Sequence, residues 1–180
     1  EHVWVREFGR LRWRVCFTPR HRAASLLTLP QNHLENHKDM AESADAGFCM
    51  FALQDSGDVA VMPEALVEAF HRRQLKGRLE VFADRGRFPQ SRLVGKHNAA
   101  NAEAAFLAAR EFGVSEKDAA VAVADFVPLR HRLELAGTIN GVRYVNDSKC
   151  TTVDSLRAAL ESFDVPVVLM AGGKFKGGDL

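Results

Sequence analysis

Apolar residues along this chain fall either into short unbroken runs or into stripes with helical spacing. Residues 1–22 show neither: they carry both Trp residues and many Arg without a period, a pattern that favours a strand-like edge or an unstructured end. From Arg22 the signal sharpens. Ala24-Ser25-Leu26-Leu27-Thr28-Leu29, closed by Pro30, predicts a buried strand. Leu34–Leu53 is mostly compatible with helix, Asp58–Met62 predicts a short strand, Pro63–Arg72 a helix with Pro in its first turn, and Arg78–Ala83 another strand. Strands alternating with helices imply an α/β fold with a parallel sheet.

His97–Phe112 has the clearest helical spacing. Ala102, Ala105, Phe106, Ala109 and Phe112 share one face, with Glu103 and Arg110 off it, and Gly113 ends the helix. Ser115 caps the next helix, Glu116–Ala124, with Asp118 at the third helical position as an acidic variant of a capping box. Phe126-Val127-Pro128-Leu129 reads as a linker, and a domain boundary is expected near residue 128. Beyond it, Leu133–Ile139 and Val142–Val145 flank Asn140-Gly141, a strong hairpin signal. Thr152–Phe163 comes next as a helix with Leu156, Leu160 and Phe163 on one face. Val165–Met170 then predicts a buried strand running into Ala171-Gly172-Gly173.

Composition narrows the function classes. With 24 Lys+Arg against 23 Asp+Glu, the net charge of +1 argues against an electrostatic nucleic-acid binder. An apolar share of 47% and a charged share of 26% are those of a globular protein, and 180 residues suffice for one domain or two small ones. Cys16, Cys49 and Cys150 show no metal-binding or CxxC spacing, which favours a reducing cytoplasm. No apolar run approaches the roughly 18 residues of a membrane helix, and the start has no apolar signal region. The missing initial Met and the ending at Gly177-Gly178-Asp179-Leu180 suggest a piece of something longer.

Five stretches could carry chemistry. Asn146-Asp147-Ser148-Lys149-Cys150-Thr151-Thr152 joins a strand to a helix N-terminus, where free N–H groups favour anions; a plain N-cap beside a solvated lysine explains the spacing equally well. Gly172-Gly173-Lys174-Phe175-Lys176-Gly177-Gly178-Asp179 comes after a strand and could let backbone approach a ligand, or form a flexible turn. Asn98 and Asn101 are three apart, so both amides can face one way; amides suit an adenine edge, and capping fits too. His131-Arg132-Leu133-Glu134 could clamp an anion or form a surface ion pair. Asn32-His33-Leu34-Glu35-Asn36-His37 could hold a divalent cation or cap a helix. No G-x-x-x-x-G-K-[ST] loop occurs anywhere.

Taken in this order, the motifs resemble the Mur ligase family, from about Pro19 to Leu180. The Asn-Asp-Ser-Lys-x-Thr and Gly-Gly-x-x-Lys-Gly-x-Asp stretches are closest to its D-glutamate-adding branch. The resemblance implies the rear part of a central ATPase domain over 1–128, with 1–22 unassigned, and the start of a Rossmann-like C-terminal domain over 129–180. It implies ATP and Mg²⁺ as cofactors, UDP-N-acetylmuramoyl-L-alanine and D-glutamate as substrates, an acyl-phosphate intermediate, and a cytoplasmic monomer that binds no nucleic acid. Position by position, it implies His33 as a Mg²⁺ ligand and Asn101, Arg132 and Asp147 as ATP-binding residues. Lys149 and Lys176 would line the closed catalytic site, and Thr151 and Lys176 would receive the D-glutamate carboxylate. The phosphate-binding loop is missing, and Gly47 stands where the family carries a carbamylated lysine, so this chain alone is expected to be inactive. A non-enzymatic nucleotide- or anion-binding module and a folylpolyglutamate-type ligase are the alternatives. Residues 1–95 are expected to fold marginally, and 97–172 to be better ordered.

Overall fold

The computed structural model describes residues 3, 5, 20–28, 45 and 47–173. Its framework is a parallel three-stranded sheet in the order β1-β2-β3, formed by β1 (Ala23–Ser25), β2 (Val59–Pro63) and β3 (Arg78–Phe82). Ala23 lies opposite Val59, Val59 opposite Arg78, and Pro63 opposite Phe82. The central strand has a neighbour on each side and a layer on each face, so its apolar run needs no polar alternation. Ala60 and Met62 pack with Phe48, Met50, Phe51 and Phe70 on one face. Val59 and Val61 pack with Phe82, Ala104 and Leu107 on the other. Phe70 comes from α1 (Val67–Arg72), which a short 3-10 turn at Glu64–Leu66 connects to Pro63. Each of the large apolar side chains among these contributes about 1.5–3 kcal/mol on full burial.

The sheet's leading end is tied by polar groups. Gln54 is buried, and its Nε2 donates to the carbonyls of His21 (3.0 Å) and Val59 (2.8 Å). Asp58 accepts from Arg20 Nε at 2.6 Å and from the Asp55 N–H at 2.9 Å. The Arg20 hydrogen bond holds the Asp58 carboxyl below its ordinary value, against the opposing effect of burial.

Helix α2 (Lys96–Ala109) lies across all three strands and continues as a 3-10 turn to Phe112, where Gly113 takes the left-handed conformation. The face predicted for it needs correction. Glu103 is buried while Ala105 and Phe112 are exposed. The helix is covered on two sides: Ala104 and Leu107 meet the sheet, and Ala102 and Phe106 meet Phe88 and Ala119. Helix α3 (Glu116–Asp125) begins as expected, with Ser115 Oγ accepting from the Asp118 N–H at 3.1 Å. Residues 126–129, the expected linker, carry no regular structure.

Strands β4 (Glu134–Ile139) and β5 (Val142–Asn146) form the antiparallel hairpin, with φ of 50° at Asn140 and 80° at Gly141, the positive values a type I′ turn demands. Helix α4 (Val153–Leu160) is capped by Thr152. Three expectations change. The first strand spans only Ala23–Ser25. Of the helix expected over 34–53, Asp45, Gly47 and Phe48 are helical, Cys49–Phe51 is a 3-10 turn, and the rest lies outside the described residues apart from Ala52 and Leu53 in a turn. Val165–Met170 is not a buried strand: it has no regular structure and Val168 is 92% exposed, because no described strand pairs with it. Among the described residues most of the core lies within residues 24–119, and a single buried residue, Ala159, lies among 126–173. Cys49 and Cys150 form no disulfide. No described helix is long and apolar enough to cross a membrane.

Candidate functional site: a cleft at the linker

A cleft of about 230 Å³ opens where α2 meets the linker. Arg92, Leu93 and Val94 line it from the segment before α2, Asn98 and Asn101 from the helix, and Phe126, Pro128, Leu129, Arg132 and Leu133 from the linker and the approach to β4. Asn98 Nδ2 donates to the Val94 carbonyl at 2.7 Å, which pins the approach segment to the helix it enters. Gly95 is required there. Its φ is 97°, and a Cβ would lie 2.2 Å from Ser162 Oγ just beyond α4. The start of α2 thus sits directly against the later part of the chain.

The two anion-binding candidates flanking the hairpin are stitched together. The Lys149 N–H donates to the His131 carbonyl at 3.0 Å, and the Leu133 N–H donates to Asp147 Oδ1 at 3.0 Å. Asn146 Nδ2 lies 2.9 Å from His131 Nδ1, and the His131 N–H donates to Glu134 Oε2 at 2.7 Å. These bonds hold His131 and Leu133, the residues on either side of Arg132, at φ of 65° and 46°. Left-handed non-glycine residues cost energy and persist only where their surroundings impose them, often at functional sites. The kink presents Arg132 to the cleft.

Charge is arranged around this geometry. Partial burial, and then the Arg132 charge, push the His97 imidazole down, while Asp147 pulls the other way. Burial, and then Asp147, push the Cys150 thiol up.

The structure brings Asn101 and Arg132 into one cleft and puts Asp147 one hydrogen bond from its wall. Lys149 and Thr151 are exposed on the loop between β5 and α4 and do not line it. His33 and Lys176 lie outside the described residues. Gly47 is buried and brings no side chain, and no group of three or more His, Cys, Asp or Glu among the described residues is arranged to hold a metal. Sequence reasoning assigned no binding role to Arg92, Leu93, Val94, Phe126 or Leu129, the last two having been read only as part of a linker. The only available signal was their adjacency to α2 and to Pro128.

No protein-family model matches the chain. Individual relatives do. Over 178 residues, 99% of this chain, it is 53% identical to a protein of Nitratidesulfovibrio vulgaris named UDP-N-acetylmuramoylalanine--D-glutamate ligase, covering 41% of that protein. A protein of the same name from Desulfovibrio desulfuricans is also 53% identical over 99% of this chain. One from Pelotomaculum thermopropionicum is 33% identical over 208 aligned positions, again with 99% of this chain covered. The similarity takes in the leading residues, for which the motifs offered no counterpart. The chain spans about two-fifths of the length of the relatives it matches at 53% identity. Over nearly its whole length, then, the chain is similar to a stretch of proteins named UDP-N-acetylmuramoylalanine--D-glutamate ligase.

Proposed function

We propose that this chain contributes part of a nucleotide site to a ligase that joins D-glutamate to UDP-N-acetylmuramoyl-L-alanine at the expense of ATP, in peptidoglycan precursor synthesis. Residues 1–128 would be the rear of the central ATPase domain, and residues 129–180 the start of the Rossmann-like one. The observation that carries this reading is the cleft shared by Asn101 and Arg132, with Asp147 bound to its wall.

At about 230 Å³ the cleft is below the roughly 300–1,000 Å³ of a drug-sized pocket, so it suits one ring system rather than a whole nucleotide. The Asn101 amide can both donate to and accept from an adenine edge. The Arg132 guanidinium supplies a fixed fork of donors for phosphate oxygens. Asp147 Oδ1 holds the Leu133 N–H, and the same carboxylate can accept from ribose hydroxyls. Lys149, exposed on the neighbouring loop, would offset charge as two anionic substrates are brought together, with Lys176 and Thr151 receiving the D-glutamate carboxylate. The described residues do not supply a set of ligands for Mg²⁺, and His33 lies outside them. No Walker A sequence occurs in these 180 residues, and ATP turnover by this chain alone is not expected.

Calorimetric titration of the chain with ADP tests the reading. Saturable binding is expected, weakened at least about tenfold in Arg132→Ala through loss of charge-assisted hydrogen bonds. A flat titration would overturn it, and inorganic phosphate competing as well as ADP would point to a simple anion site.

A further inference from the structure

The carboxylate of Glu103 is almost fully buried in the middle of α2, at 1% exposure, and does not line the cleft. Such a group is costly to bury and demands a partner. Arg87 meets it with a two-pronged contact, Nε to Oε2 at 2.7 Å and Nη2 to Oε1 at 3.1 Å. The same guanidinium also binds Glu116 at the start of α3 and stacks over the Phe106 ring at 5.1 Å. Arg85 approaches Glu103 more distantly, at 3.9 Å. One side chain therefore ties the segment leading into α2 to both α2 and α3.

That segment is fastened again further along. Phe88 packs edge-on against Phe106, and Gln90 Nε2 donates to the Ala120 carbonyl at 3.0 Å. It then supplies Arg92, Leu93 and Val94 to the cleft wall before Asn98 secures its end. A buried ion pair is seldom the most stable choice for a core, and its best-attested use is to impose one register. An apolar pair could cover Phe106 as well, but could not fix how far the segment slides along α2.

We propose that Arg87 and Glu103 are positioning residues for the linker cleft: their ion pair sets the register of residues 87–94 on α2, so that Arg92–Val94 form a wall matched to Asn98 and Asn101. The proposal rests on the cleft being the nucleotide site. It assigns a binding role to two residues that do not touch the ligand.

Arg87→Lys and Glu103→Gln test it, with Phe70→Leu, on the far side of the sheet, as a control for general destabilisation. ADP affinity is measured calorimetrically well below each variant's thermal midpoint, with hydrogen exchange read at residues 92–101. Lys keeps the charge but loses the fork. ADP binding is expected to weaken about 2- to 30-fold, the range for residues that act on a site without touching it. Exchange should rise at 92–101 in both Arg87→Lys and Glu103→Gln and stay unchanged there in Phe70→Leu. Equal affinity in Arg87→Lys and the unaltered chain, or the same loss in Phe70→Leu at a matched midpoint, would overturn the proposal. If the unaltered chain binds no ADP, the nucleotide reading falls and the positioning role with it. Exchange at 92–101 would then report only whether the ion pair sets the segment's register.

Discussion

Val59-Ala60-Val61-Met62 and Val165-Pro166-Val167-Val168-Leu169-Met170 are chemically alike, yet every residue of the first is at 0% exposure while Val168 and Met170 in the second stand at 92% and 86%. The first run has a parallel strand on each side, α2 on one face and an aromatic cluster on the other. The second has no strand partner among the described residues, and Pro166 lacks an N–H to offer one. The same division holds more widely. The central strand β2 is covered and its neighbours β1 and β3 are partly so, whereas the β4–β5 hairpin exposes Leu135, Ile139, Val142 and Tyr144. An apolar run permits a buried strand; neighbours that satisfy its backbone and cover its faces make one.

The largest expected effect tests this contrast directly. Phe70→Ala empties a site in the aromatic cluster and is expected to cost about 3–5 kcal/mol in urea denaturation. Val168→Ala should stay within about 0.5 kcal/mol, as for an exposed position. Comparable losses in the two variants would erase the distinction between the regions. A smaller effect sharpens it inside the covered part. A Cβ at Gly77 would sit 2.4 Å from Gln54 Oε1, and Gln54 cannot retreat without breaking its bonds to the His21 and Val59 carbonyls. Gly77→Ala is therefore expected to cost about 1–3 kcal/mol, with hydrogen exchange rising at β1 and β2 and not at the hairpin. A neutral Gly77→Ala would show that the strand ends are looser than the geometry requires.

The smallest effect is set by pH. The folded Asp58 carboxyl is held below its ordinary value of 3.8, chiefly by Arg20. On acidification the unfolded chain therefore takes up this proton first. The contribution is complete above 3.8 and is lost as pH falls through the folded value. Urea midpoints tracked from neutral pH into this acid range should fall less steeply in Asp58→Asn than in the unaltered chain. An unchanged slope would mean that Arg20 and Asp58 do not cooperate in solution.

Much of the local structure was legible because local chemistry decides it. Ser115 caps α3 through its hydroxyl, Gly113 accepts a left-handed conformation, and Asn140-Gly141 turns the hairpin. None of these depends on residues far along the chain. The faces of α2 were not legible. Alanine at 99, 100, 102, 104, 105, 108 and 109 leaves several faces equally able to pack, and the choice fell to the sheet and to α3. Glu103 looked like a surface residue because a carboxylate is normally solvated. Its burial is made tolerable chiefly by Arg87, sixteen positions earlier, with Arg85 more distant. In the candidate site, Asn101, Arg132 and Asp147 were nameable from their motifs, but the apolar wall at Arg92–Val94 and Phe126 carried no signal.

The sequence by itself determined the near-neutral charge and, through interactions between near neighbours, the cap at Ser115, the left-handed stop at Gly113 and the tight turn of the hairpin. The tertiary structure alone decided which apolar runs are covered, that a carboxylate lies buried on α2, and that Asn101 and Arg132 line one cleft. Each of these depends on groups far apart in sequence, whose approach is set by packing and by the strained backbone around Arg132 rather than by any local preference.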